Sequence, residues 1–241
     1  MIKNTAIFAL GSLGTKIISF FMVPLYTNVL TTEQYGIIDL IVTISTIVVP
    51  ILSLNIAESV MRFDLDKGAD KDENTKIGLT VLFFGCMAGL LLIPILRLFD
   101  KVADLRFLVY FFIIFLASRN VLLYDLRGKE FLFHYSIGNI LQTLLIAGLN
   151  IVFLVVFDLG IYGYLLAYIL SFAITAVYAF VVGKSYKAIK VPLNRTKMAE
   201  MLKYSMVLIP SSLMWWVMDS SDRIMVTAMV GAAENGIYAV S

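Results

Sequence analysis

The chain has 241 residues, of which 60% are hydrophobic and 15% charged, more apolar sequence than a water-soluble fold can cover with polar surface. A net charge of +2 recommends no nucleic-acid partner, the single Cys86 excludes disulfides and thiolate metal sites, and the single His134 excludes His-cluster metals. What remains is an all-α, polytopic transmembrane bundle whose pattern calls for no cofactor.

About 20 helical residues cover a hydrocarbon core of roughly 30 Å. On that rule the sequence predicts spans over 5–27, 36–57, 77–97, 104–124, 135–157, 160–182 and 205–230, with an eighth opening at Gly236. The first run is too long for a signal peptide and lacks a small-residue cleavage site, which predicts a retained helix. His134 falls at a helix start, near the interface.

The loops orient the spans. With the N-terminus inside, thirteen Lys and Arg residues fall in cytoplasmic segments, the largest groups in 58–76 and 183–204. Only Arg97, Lys101 and Arg106 lie near the outside, so the positive-inside rule predicts a cytoplasmic N-terminus. Outer loops are short, which leaves no room for an extracytoplasmic catalytic domain. The two long charged loops read as solvated connectors or surface helices on anionic lipid.

Several spans carry polar residues at helical spacing. Ser12, Thr15, Lys16 and Ser19 share a face of the first. Asp39, Thr43, Thr46, Pro50 and Ser53 line the second. Asn139, Thr143 and Asn150 line the fifth, and Tyr164, Tyr168, Ser171, Thr175 and Tyr178 the sixth. Hydroxyls and small residues are common at helix–helix contacts, so each stripe alone is more often packing than pore.

Full charges are a stronger signal, because one at the bilayer centre costs about 2.5–3.5 kcal/mol unless it faces protein or water. Asp219, Asp222 and Arg223 sit inside the last run, with Asp219 and Arg223 four apart on one helix face. Pro210, early in that run, predicts a bend. Together with Lys16 and Asp39 these charges predict a hydrated central cavity; the competing reading is an ion pair that glues helices together. Arg119 lies close enough to the end of its span to snorkel.

Ammonium and guanidinium groups in a cavity suit a phosphate or pyrophosphate, which Arg binds bidentately. The carboxylates Asp39, Asp219 and Asp222 are candidates for coupling to H+ or Na+. Tyr164 and Tyr168 offer rings for sugars or for core packing.

Leu30 to Ile37 and Val230 to Ile237 align at an offset of 200, with Gly36 on Gly236 and Ile37 on Ile237. Such repeats are a transporter habit, with substrate held between the halves. Further markers are Gly11, Gly14 and Lys16 leading to Pro24-Leu25; Leu30, Glu33, Tyr35 and Gly36; Arg62; Arg127-Gly128; and Pro210 followed by Ser221-Asp222-Arg223 and Gly236-Ile237-Tyr238. In that order and spacing, across essentially the whole chain, they resemble the polysaccharide flippases of the MATE-like superfamily.

The resemblance implies two six-helix lobes that open alternately to either side, and a substrate of undecaprenyl-pyrophosphate-linked oligosaccharide. On it, residues 1–183 are the first lobe, 184–204 a cytoplasmic linker and 205–241 the start of a second lobe. A further stretch of sequence or a partner chain would complete that second lobe. The headgroup would be met by Lys16 and Arg223, then Arg119 and Arg62, in a bacterial inner membrane and without covalent chemistry. The rival readings are a cation-coupled multidrug exporter of the same superfamily, a non-transporting membrane subunit, and a membrane-embedded glycan polymerase or ligase.

Overall fold

The computed structural model describes residues 2–97 and 102–231. Within these, the side chains of residues 2–14, 19, 215–216, 219–220 and 222–224 lie outside the described ones. The described residues form helices joined by short connections, with no strand among them. In chain order the α-helices are α1 (Ile2–Val29), α2 (Thr32–Leu52), α3 (Ile56–Asp64), α4 (Lys71–Gly89), α5 (Leu92–Leu96), α6 (Arg106–Gly128), α7 (Leu132–Asn150), α8 (Gly160–Val182) and α9 (Arg195–Met229).

Five described segments are long and apolar enough to cross a membrane: Thr32–Leu52, Lys71–Leu96, Ala103–Gly128, Leu132–Val156 and Gly160–Val182. The protein is thus a multi-pass helical membrane protein. The last of these spans has the bounds that its apolar run predicts. A π-helical stretch, Ile151–Val156, extends α7 to the end of its predicted span. The eighth span and the second copy of the repeat, from Ala232 onward, lie outside the described residues.

Helix α6 is the hub, packed against α8, α3, α4, α2 and α7, while α1 lies mainly on α7. Its buried side is Val109, Phe112, Ile113, Ala117 and Val121, the i, i+3, i+4 spacing of a core-facing stripe. Phe112 meets Phe172 of α8 edge-on at 5.3 Å between ring centroids.

The bundle has two distinguishable ends. At one, the chain turns tightly from α1 into α2, where Thr31 and Gln34 form a reciprocal capping box. Gln34 lies there against Gly160, at the start of α8. The other end carries the charged connections. Lys76 of α4 donates to the Ile189 carbonyl at 3.0 Å, and Lys197 of α9 pairs with Glu73 of α4 at 2.8 Å.

Two departures from the sequence reading concern the helices that lead to this charged end. The second span stops at Leu52, not 57. Leu54 and Asn55 then adopt left-handed backbone (φ 49 and 52), and the chain re-enters a separate helix. That helix, α3, is not a solvated connector. Ile56, Ser59, Val60 and Asp64 are spaced to share one face, and each is 0–1% exposed against α6 and α4.

The segment read as a linker is also partly helix. Asn194 caps α9, its side-chain oxygen accepting from the Thr196 and Lys197 amides at 3.1 and 3.2 Å. The helix therefore starts at Arg195, not 205, and runs unbroken past Pro210. Its first turns are tied down by buried Met201, whose carbonyl accepts from the Ser59 hydroxyl at 2.9 Å.

Candidate functional site

A cavity of about 250 Å³ lies between α2, the start of α3 and α6. Its polar lining is Ser45, Thr46, Ser53, Asn55 and Asn120, with Pro50 and Val49 among the apolar walls. A single water needs roughly 10–15 Å³ on such a measure, so the volume holds several waters, while it is below the roughly 300 Å³ where drug-sized pockets begin. Part of the predicted α2 stripe therefore faces a hollow: Thr46, Pro50 and Ser53 line it. Ser45 and Ser53 satisfy their hydroxyls by donating back to the Ile41 and Val49 carbonyls, at 2.6 and 2.8 Å.

Asn120 joins this cavity to the half-buried Arg119 guanidinium. One terminal nitrogen of Arg119 donates to Asn120 Oδ1 at 2.9 Å, and the other to Asn139 Oδ1 on α7. Its Nε is buried without a hydrogen-bond partner, as is Gln142 Oε1 on α7. Among the described residues the guanidinium has amide oxygens for partners and no carboxylate within salt-bridge distance. A cation inside a span is therefore held in place by neutral groups, with its charge uncompensated locally. It does not snorkel away from the bundle: its contacts tie α6 to α7.

The other predicted residues are dispersed. Lys16 is exposed on α1. Arg62 is at the charged end, exposed and paired with Asp66, one turn on. Asp39 is half-buried on α2. The backbone of Asp219, Asp222 and Arg223 continues α9, but their side chains lie outside the described ones.

Tyr164 and Tyr168 are in the aromatic core of the bundle. Their rings stack at 4.6 Å, Tyr26 of α1 meets Tyr164 edge-on at 5.2 Å, and Phe112 lies 6.0 Å from Tyr168. Further along the same face, Tyr178 pairs its hydroxyl with His134 Nδ1 at 3.0 Å, fixing the start of α7 to α8.

A model of the family described as "Polysaccharide biosynthesis protein" matches residues 1–241. The chain belongs to that family. Among curated proteins and among solved structures, nothing matches it. Membership in the polysaccharide biosynthesis family agrees with the resemblance carried by the glycine, proline and arginine markers.

Sequence reasoning missed a second polar cluster, at the charged end. Asp125, in the last turn of α6, is fully buried. Its carboxylate accepts from the Thr75 and Ser185 hydroxyls and from Lys129 Nζ at 2.9 Å. Lys129 Nζ also donates to the Gly183 carbonyl at 3.0 Å. The cluster fastens α4, α6 and the chain after α8. The i, i+4 spacing of Asp125 and Lys129 was the one visible signal.

Proposed function

We propose that this chain is the first lobe, with the opening helix of a second, of a flippase that moves lipid-linked oligosaccharide across the bacterial inner membrane. The carrier in this reading is an undecaprenyl-pyrophosphate lipid, and the N-terminus and charged end are cytoplasmic. The observation that carries the proposal is Arg119: a guanidinium within a membrane span, held by amides, beside a cavity lined with hydroxyls and amides. Such a group offers a pyrophosphate its charge without first breaking an ion pair. Family membership supports the glycan half of the reading.

Movement then needs no covalent step. Two lobes rock about a site whose charges replace the water of the headgroup, and binding on one side is exchanged for release on the other. Lys16 and Arg223 supply further cationic contacts in the assembled path. Asp39, Asp219 and Asp222 are the carboxylates through which H+ or Na+ would drive the cycle. A second lobe, from further sequence or a partner chain, closes the cavity.

The test is glycan export in cells that depend on this protein, with membrane insertion followed in parallel. Arg119→Ala, Lys16→Ala and Arg223→Ala should each abolish export with insertion intact, while Arg119→Lys keeps the charge and retains part of it. Normal export by all three alanine variants would refute the reading. Resistance to cationic drugs without a change in export would point to a multidrug exporter instead.

A further inference from the structure

Asp64 closes α3, 1% exposed, and its carboxyl is less well served than that of its neighbour Asp125. One oxygen, Oδ1, accepts from Asn74 Nδ2 of α4 at 2.8 Å. The other, Oδ2, is buried with no hydrogen-bond partner, and so is the carbonyl oxygen of the same Asn74 side chain. Two buried acceptors are thus orphaned on a pair of side chains that already share one bond. Each orphan costs about 1–3 kcal/mol if it is left unmade.

A single proton on Oδ2 repairs both. A neutral carboxyl is a donor as well as an acceptor, and an amide is its complement. With Asn74 Nδ2 donating to Asp64 Oδ1, a hydroxyl at Oδ2 can donate to Asn74 Oδ1 and close a ring of two antiparallel hydrogen bonds. Water is a poor substitute on the α6 side, because Gly128 presses against the carboxyl. A Cβ built at Gly128 would lie 2.7 Å from Asp64 Cβ and 2.9 Å from Oδ2.

The surrounding charges agree. From α6 come Asp125 and Lys129, but the ammonium is committed to Asp125 and to the Gly183 carbonyl. From α4, Lys71 reaches the Gly128 carbonyl at 3.4 Å. From α9, Tyr204 packs its ring edge-on against Phe63, the residue before Asp64. On α3 and just beyond it, Arg62 is paired with Asp66, Glu58 lies more than a turn back, and Lys67 follows in the exposed turn. A position at the C-terminal end of a helix adds the unfavourable end of its dipole. Burial, with the Asp125 charge adding to it, outweighs the Asn74 bond, Lys129 and Lys71, and raises the Asp64 carboxyl to about 7.

We infer that Asp64 and Asn74 form a proton-binding site, a carboxylic acid–amide latch that holds α3 on α4 and α6 while the proton is bound and loosens them when it leaves. The site is distinct from the carboxylates assigned above to ion coupling, and it does not rest on the flippase reading.

The sign follows from linkage. The folded carboxyl keeps its proton to about pH 7, whereas the unfolded one loses it near 3.8, so stability declines as pH rises between those values. The experiment follows thermal unfolding of the full chain in detergent over about pH 5 to 8, comparing wild type with Asp64→Asn. An asparagine at 64 supplies the missing N–H at every pH. The wild-type midpoint should therefore fall by several degrees relative to the variant as pH rises, and parallel curves would overturn the proposal.

Infrared spectra of aspartate-labelled protein at about pH 6 give a second readout. A protonated-carboxyl band should be present in wild type and absent in Asp64→Asn. If that variant does not fold, Asn74→Leu serves, and the band should move to higher frequency on losing its partner. No such band in wild type, or an unmoved one, would overturn the proposal. Glycan export enters neither measurement, so either proposal can fail without the other.

Discussion

Replacing Lys129 by Met probes the Asp125 cluster. Lys129 and Asp125 are 7% and 1% exposed at their side chains, so the pair is screened from water. Removing one partner of a buried pair costs about 3–5 kcal/mol, because the surviving charge is left uncompensated. Thr75 and Ser185 continue to donate to Asp125, which places the expected loss near the lower limit, about 3 kcal/mol. For a chain of this size that corresponds to a fall of roughly 6–12 °C in the unfolding midpoint, measured in detergent on the full chain.

Adding Asp125→Asn removes the stranded charge and keeps an acceptor for the hydroxyls, so the double variant should be more stable than Lys129→Met alone. Asp66→Asn, which breaks the exposed Arg62–Asp66 pair, is the control and should leave the midpoint nearly unchanged, because solvent screens such a pair. Equal effects for Lys129→Met and Asp66→Asn, or a double variant that simply sums its singles, would refute the reasoning.

Gly85→Ala places a methyl 2.3 Å from the Leu52 carbonyl oxygen. A backbone atom cannot swing aside as a side chain can, so α4 must separate from the end of α2 at about 3 kcal/mol, the upper end for overpacking, again visible as a lower unfolding midpoint. Phe112→Ala empties the centre of the aromatic core. Lipid is as apolar as the core, so the cavity term dominates: roughly 100 Å³ at about 24 cal/mol per Å³ gives about 2.4 kcal/mol, and a loss well under 1 kcal/mol would show that the core refills.

The spans were legible because membrane-crossing helices announce themselves by length and hydropathy alone, which is how the bounds of α8 come directly from its apolar run. Helix α3 was not. Its charges, Glu58, Arg62 and Asp64, mark a loop by composition, while the burial of Ile56, Ser59, Val60 and Asp64 follows from what α6 and α4 present to it.

The α8 stripe shows the same limit. Helical period puts Tyr164 and Tyr168 on one face without saying what that face meets, and it meets the rings of Tyr26 and Phe112. For Arg119, distance from the span end suggested snorkelling, but its partner Asn139 lies 20 residues away on another helix. Pairings between helices, such as Asp64 with Asn74 or Asp125 with Ser185, leave no mark in a local pattern.

Pro50 puts a soft point of α2 beside the cavity. Without an amide hydrogen, it leaves the Thr46 carbonyl with no helical donor, and both residues border the cavity. Flexing at that level is opposed by one backbone hydrogen bond fewer than elsewhere in the helix. In α2 the weakened turn and the hollow therefore coincide, so the wall of the cavity is also the part of the helix that yields most readily.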